Sequence, residues 1–217
     1  MAELDRPATR QRLAVFPLAG AVLFPGMQLP LHIFEPRYRA MVSASLAGDR
    51  RIGMIQPRSL VSSLDESDAS ALFDMGCVGR ITDVEALDDG RYNILLEGLA
   101  RFRVLRELDV STPYRQIEAE IEAPRDDEYL ASVERAALEQ EARRFADRQG
   151  YMVDWNAVSH LDDTALVNGI AQVAPFDAAA KQAMLEATGI NARAELIMQL
   201  MQFFGRRDAD DDSVTLQ

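Results

Sequence analysis

One lysine, two histidines and one cysteine are the scarcest reactive groups in this 217-residue chain. Lys181 lies in Ala179-Ala180-Lys181-Gln182-Ala183. A phosphate-cradling loop needs G-x-x-x-x-G-K-[ST], whose backbone N–H groups and lysine hold the phosphates. No glycine precedes Lys181 there and no Ser or Thr follows it. A serine–lysine peptidase would need this same residue as its base. Its surroundings read as a helix in which Asp177, at i−4, pairs with a solvated Lys181. His32 and His160 form no H-E-x-x-H and no Cys/His cluster, so no metal site is expected. Ser159 and His160 are adjacent in sequence, which says little about geometry, and no G-x-S-x-G elbow occurs. His32 reads as a packed or edge histidine, and Cys77 as a small buried strand residue. The acid pairs Asp88/Asp89, Asp162/Asp163 and Asp210 to Asp212 fall in a turn, a helix cap and a tail. No catalytic residue, cofactor site or metal site is expected.

The elements that position these groups centre on Val22 to Met41. Pro25-Gly26 marks a tight turn. Gln28 to Phe34 has strand composition, and Pro30 confines it to an edge or a strand start. Pro36 suits a helix N-terminus, with Tyr38, Met41, Val42 and Leu46 at helical spacing before Gly48. Further strands are expected over Leu13–Leu18, Arg51–Gln56, Val84–Leu87, Arg91–Glu97, Phe102–Leu108 and Ile117–Ile121, with Asp88-Asp89-Gly90 turning a hairpin. Their period of two argues an antiparallel sheet with one wet face, closed or partly closed into a barrel. Ser59 to Asp74 reads as an exposed surface loop.

The period changes at Pro124. Asp126 to Glu128 suit a helix start and Gly150 its end. Asp162, Asp177 and Asn191 are expected to cap three more helices. The fold class is therefore α+β, with a C-terminal four-helix bundle. The domains are a flexible arm over 1–11, a β domain over 12–123, a helical subdomain over 124–206, and an acidic disordered tail over 207–217.

The hydrophobic fraction of 48% supports a real core. No apolar run approaches the roughly 20 residues that cross a bilayer, and the start lacks a secretory signal, so no membrane association and a cytoplasmic location are expected. The net charge is −12, with −4 over 1–124 and −8 over 125–217. That balance repels nucleic acid and anionic membranes.

Phe16-Pro17-Leu18 followed by Val22–Met41 resembles the N-terminal domain of Lon proteases. So do Ile52-Gly53-Met54, Gly76–Ile81, Asp89–Ile94 and Gly98–Val104, in matching order and spacing. The resemblance runs from about Leu13 to Phe204. It implies a PUA-like β-barrel with one inserted helix, then a helical extension. It also implies a bacterial, stand-alone protein of the substrate-binding type, and the ATPase and Ser–Lys peptidase modules of full-length Lon are not expected because Lys181, the sole lysine, suits neither. The expected activity is non-catalytic binding of polypeptide segments or unfolded proteins in protein quality control, with a separate protease as a further partner. The residues offer a means: an edge near 28–34, flanked by Phe24, Met27, Leu29, Leu31, Phe34 and Met54 as candidate peptide contacts. The alternative is a PUA-like RNA-binding protein, using Arg37, Arg39, Arg50, Arg51 and Arg58 with Phe34 and Tyr38. The acidic whole disfavours nucleic acid.

Overall fold

The computed structural model describes residues 9–58, 71–123 and 129–214, with 205–214 as backbone alone. Packing divides the chain into two units, Met1–Arg125 and Asp126–Gln217. Together they give a mixed α+β fold.

The first unit contains β1 (Thr9–Pro17), β2 (Gln28–Ile33), α1 (Pro36–Leu46), β3 (Arg51–Ile55), β4 (Met75–Ala86), β5 (Tyr92–Glu107) and β6 (Gln116–Ile121). The strand order is β2-β5-β4-β3-β1-β6, and β5 also pairs with β6. The pairings of β1, β3, β4, β5 and β6 thus return on themselves as a closed ring. All are antiparallel except β1 with β3. Closure brings Leu13, Val15, Val78, Phe102, Ile117 and Ala119 into one buried cluster. Alternation along each strand delivers these side chains to one face.

Two segments expected as separate strands, Arg91–Glu97 and Phe102–Leu108, are one strand, β5. It changes partner midway along one edge. Residues 92–97 pair with β2 and residues 102–107 with β6. The handover lies at Gly98. A Cβ there would sit 2.1 Å from the Phe24 carbonyl oxygen. Only glycine lets the chain around Pro25-Gly26 approach so closely. Gly26 N–H donates to Gly98 O at 2.9 Å, and Gly98 N–H to Met27 O at 2.8 Å. Gly26 itself has φ +77, the left-handed value its turn requires. These bonds fix where β2 begins.

Composition misplaced one boundary of this unit. Residues 9–11, assigned to the arm, belong to β1 and pair with 119–121, because a strand edge satisfies polar residues as readily as apolar ones. Residues 1–8 lie outside the described residues, as do 59–70 of the expected loop. Its remaining end is tied down. Arg58 N–H donates to Ala71 O at 2.7 Å and Phe73 N–H to Gln56 O at 3.0 Å, which prolongs the end of β3.

The second unit holds five helices among its described residues, not four: α2 (Ser132–Arg148), α3 (Trp155–Ser159), α4 (Asp163–Val173), α5 (Ala178–Glu186) and α6 (Gly189–Val214). The expected start at Asp126–Glu128 falls partly outside the described residues, and Tyr129 to Ala131 are not helical. Glu134 instead reaches back to the Ala131 N–H at 3.1 Å and starts α2 at Ser132. Asp162 and Asp177 cap as expected, accepting from Ala165 and Ala180 N–H at 2.7 Å each. Asn191 does not cap, since Gly189 with φ +90 already begins α6. The backbone of α6 continues to Val214, past the expected tail boundary at 207, because no proline interrupts it. α2, α4 and α5 each pack on α6. Their core includes Leu138, Phe145, Leu166, Met184, Ile197 and Met201.

Candidate functional site

β2 is the strand with one neighbour: among the described strands it pairs with β5 alone. Pro30 stands in its middle, opposite Leu95. Proline survives there because an edge position does not need its N–H for a ladder. Gln28, Pro30 and His32 are exposed, while Leu29 and Leu31 are half-buried and Ile33 is buried. Just beyond the strand, Phe34 is 60% exposed. Its ring stacks on His32, 6.2 Å between centroids.

The six candidate contact residues therefore separate. Phe34 is presented to solvent, and Met27, Leu29 and Leu31 are half-buried beside it. Phe24 and Met54 are corrections, at 0% and 2% exposure. Met54 sits on β3, which β1 and β4 flank on both sides, so its strand has no free edge. Phe24 is buried where the turn closes onto Gly98. Neither side chain furnishes surface contact.

His32 has both ring nitrogens engaged. Asn93 Nδ2 donates to Glu85 Oε2 at 2.7 Å, which orients the amide. Its Oδ1 then accepts from His32 Nδ1–H at 2.7 Å. His32 Nε2 accepts from Arg91 Nη1 at 3.2 Å, because a guanidinium only donates. Arg91 also pairs with Asp89 at 2.6 Å. The Arg91 backbone N–H, and then its side chain, hold the Asp89 carboxyl below its ordinary value. This exposed chain of polar groups fixes the outer face of β2.

Other reactive groups are similarly occupied. Lys181 does not pair with Asp177, whose carboxylate caps α5. Its ammonium donates to the Gln172 carbonyl at 2.9 Å, and burial lowers its pKa. Ser159 Oγ donates to Asn156 O at 2.8 Å, and His160 Nδ1 makes its 2.7 Å bond to that same carbonyl. An Nδ1–H that donates there cannot take a proton from Ser159. Cys77 is fully buried. Among the described residues no three His, Cys, Asp or Glu are grouped to hold a metal. No helix among the described residues is long and apolar enough to cross a membrane. The arginines of the basic stretch are partly neutralised: Arg37 pairs with Glu35 at 2.9 Å, and Arg58 with Asp74 at 2.9 Å.

Sequence reasoning missed an apolar slot in the second unit. Ala142, Phe145 and Ala146 of α2 form one wall and Leu166, Gly169 and Ile170 of α4 the other. Met201 of α6 also lines it, as does Trp155 of α3, and its volume is about 280 Å³. Tyr151, Met152 and Val153, just after α2, are exposed, Met152 wholly. Three consecutive apolar residues after Gly150 were the available signal.

The first unit is a closed ring of strands with one added edge strand, and helices follow it in the chain. The model of the ATP-dependent protease La (LON) substrate-binding domain matches residues 12–202, and the chain belongs to that family. It is 29% identical over 201 residues to Lon protease 2 of Myxococcus xanthus, covering 88% of this chain and 23% of that protein. It is 29% identical over 196 residues to Lon protease of Escherichia coli K12, covering 89% and 25%. The chain thus spans about a quarter of the length of these relatives. In fold it is similar to a Lon N-terminal domain protein from Xanthomonas campestris, with TM-score 0.65, 21% identity, and 87% of this chain and 98% of that one covered. The N-terminal domain of a Mycobacterium avium complex Lon protease gives TM-score 0.67, 16% identity, and 88% and 98%.

Proposed function

We propose that this chain is a non-catalytic substrate-recognition module that captures unfolded or extended polypeptide for proteolysis in the cytoplasm, with a separate protease as its partner. The observation that carries the reading is the one-sided pairing of β2 beside the exposed Phe34 ring. An edge strand offers main-chain groups to an extended segment, and an adjacent apolar ring offers side-chain contact. Membership of the substrate-binding family supports the polypeptide class of ligand. The closed ring of strands supports reading the first unit as a PUA-like barrel. The second unit keeps the bundle reading, with α3 as a short addition.

The test is titration of the purified protein with a reduced, alkylated and permanently unfolded protein, followed by anisotropy. Wild type is compared with Phe34→Asp and Met27→Asp, each first shown folded by circular dichroism. Weak saturable binding is expected, because a small patch gives modest affinity after ordering costs. Phe34→Asp should weaken it about tenfold. Equal binding by all three proteins would remove the β2 edge from consideration. Salt-sensitive binding of RNA, with none of unfolded protein, would favour the nucleic-acid alternative.

A further inference from the structure

We infer that the slot in the helical unit is a docking site for an amphipathic helix of another polypeptide, one whose apolar face is flanked by lysine or arginine. This rests on the reading of the chain as a polypeptide-recognition module and adds a second, helix-specific site to it.

Arg135 of α2 and Asp163 of α4 are joined at 2.5 Å, which ties the two helices near their N-termini. Beyond that tie, both rest on α6 and the slot lies between them. Two helices laid on a third with an open furrow between them form the surface that receives a helix through anchors at i, i+3, i+4 and i+7. A volume of about 280 Å³ has room for a few anchoring side chains, with the incoming backbone above them. Gly169 and Ala142 keep the walls low.

The chemistry selects the occupant. No charged residue lines the slot. A polar metabolite would lack the few placed polar groups that orient such ligands. The charges next to the lining are mostly acidic. Asp147 follows Ala146, Asp154 lies between Val153 and Trp155, and Asp162 follows Leu161, all exposed. On the basic side, the Arg143 guanidinium lies 5.1 Å over the Trp155 ring and near Glu139, while Arg144 leans towards Glu141 and Arg148 ends α2. Residues 125–217 carry nine basic groups against 17 acidic ones. An apolar furrow in an acidic unit complements a helix with a basic flank.

Trp155 is the sole tryptophan and lines the slot, so its fluorescence reports occupancy directly. The full chain is titrated with a synthetic helix of about four turns, with leucine at i, i+3, i+4 and i+7, no aromatic residue, and a lysine-rich polar face. The same peptide with glutamate in place of lysine is the comparison. A saturable blue shift is expected, with the lysine peptide binding about tenfold tighter at low salt and the difference shrinking as salt rises. Gly169→Leu, which fills the furrow, should abolish the response. Val173→Asn changes a 79%-exposed rim residue that the fold tolerates, and should weaken binding about fivefold. Phe34→Asp belongs to the first unit and should leave the response unchanged. No shift with either peptide, equal affinity for the two, or a shift that follows protein concentration alone, as a second copy in the slot would give, overturns the inference. Loss of the Trp155 response with unfolded-protein binding intact sinks this site only. Loss of both removes the wider reading.

Discussion

Arg135 Nη1 lies 2.5 Å from Asp163 Oδ1, and the other oxygen of that carboxylate accepts the Leu130 backbone N–H at 2.9 Å. One side chain thus ties the approach to α2, its first turn and the first residue of α4. Arg135 Nη2 adds a bond to the Leu161 carbonyl at 2.8 Å. The Leu130 N–H, and next the Arg135 guanidinium, hold the Asp163 carboxyl below its ordinary value of 3.8. A carboxyl with a depressed folded pKa contributes stability that is present above the unfolded value and lost as pH falls through the folded one. The helical unit should therefore weaken as pH drops below about 3.8. Asp163→Asn should cost on the order of 1 kcal/mol at neutral pH and flatten that acid dependence. Thermal melts by far-UV circular dichroism from pH 3 upward check both; parallel curves for the two proteins would contradict the assignment.

At Gly98, space rather than charge decides. An alanine Cβ would meet backbone atoms of Phe24, the carbonyl oxygen at 2.1 Å and the carbon at 2.9 Å, and backbone cannot rotate away. Gly98→Ala should lose about 2 kcal/mol or more and disturb the start of β2. Gly48→Ala is the control, since its nearest contact would be an ordinary 3.6 Å. Urea midpoints separate the two, with Gly48→Ala expected within about 0.5 kcal/mol of wild type.

Arg193 is 4% exposed within the second unit. Its Nε donates to the Met184 carbonyl in the last turn of α5 at 2.7 Å, and its Nη1 to Asn168 Oδ1 of α4 at 2.5 Å. A cation at a helix C-terminus is favourable, and the rigid fork lets one residue of α6 hold both neighbours. Arg193→Ala should cost about 3 kcal/mol, because it also leaves buried acceptors short of a donor. Arg193→Lys keeps the charge but not the fork, so an intermediate loss is expected. Helix content followed through urea denaturation ranks the three proteins, and a lysine variant as stable as wild type would show that charge alone suffices.

The parts legible in the sequence are those whose causes are local. Asp162 and Asp177 announced their caps because a cap needs one side chain and the next turn. Asp89-Gly90 announced its hairpin for the same reason. The family motifs carried further, since several spaced segments had to match together. What stayed hidden depends on distant partners. Gly98 lies in the gap between the expected strands Arg91–Glu97 and Phe102–Leu108, whereas it is the point at which one strand changes neighbours. Met54 is expected among the peptide contacts, yet its burial is set by β1 and β4. The apolar slot draws on α2, α3, α4 and α6, so no single periodic stripe revealed it.

Lys181 separates the local reading from the folded one most cleanly. Sequence spacing expects a partner at Asp177, and an adjacent carboxylate raises a lysine pKa. In the fold, Asp177 caps α5 and the Lys181 ammonium turns to the Gln172 carbonyl, where burial lowers its pKa below the ordinary 10.5. A base whose folded pKa is depressed binds its proton less tightly in the native state than in the unfolded chain. Its contribution to stability therefore rises with pH between the folded and unfolded values. The sole lysine makes this measurable, since one side-chain amine accounts for all lysine acylation. Pulsed acylation over a pH series, read by peptide mass spectrometry, should give a midpoint for Lys181 below 10.5 in native protein. In concentrated urea the midpoint should return to the ordinary value. A native midpoint above the unfolded one would mean that Asp177 holds the ammonium after all, and that the bond to Gln172 does not persist in solution.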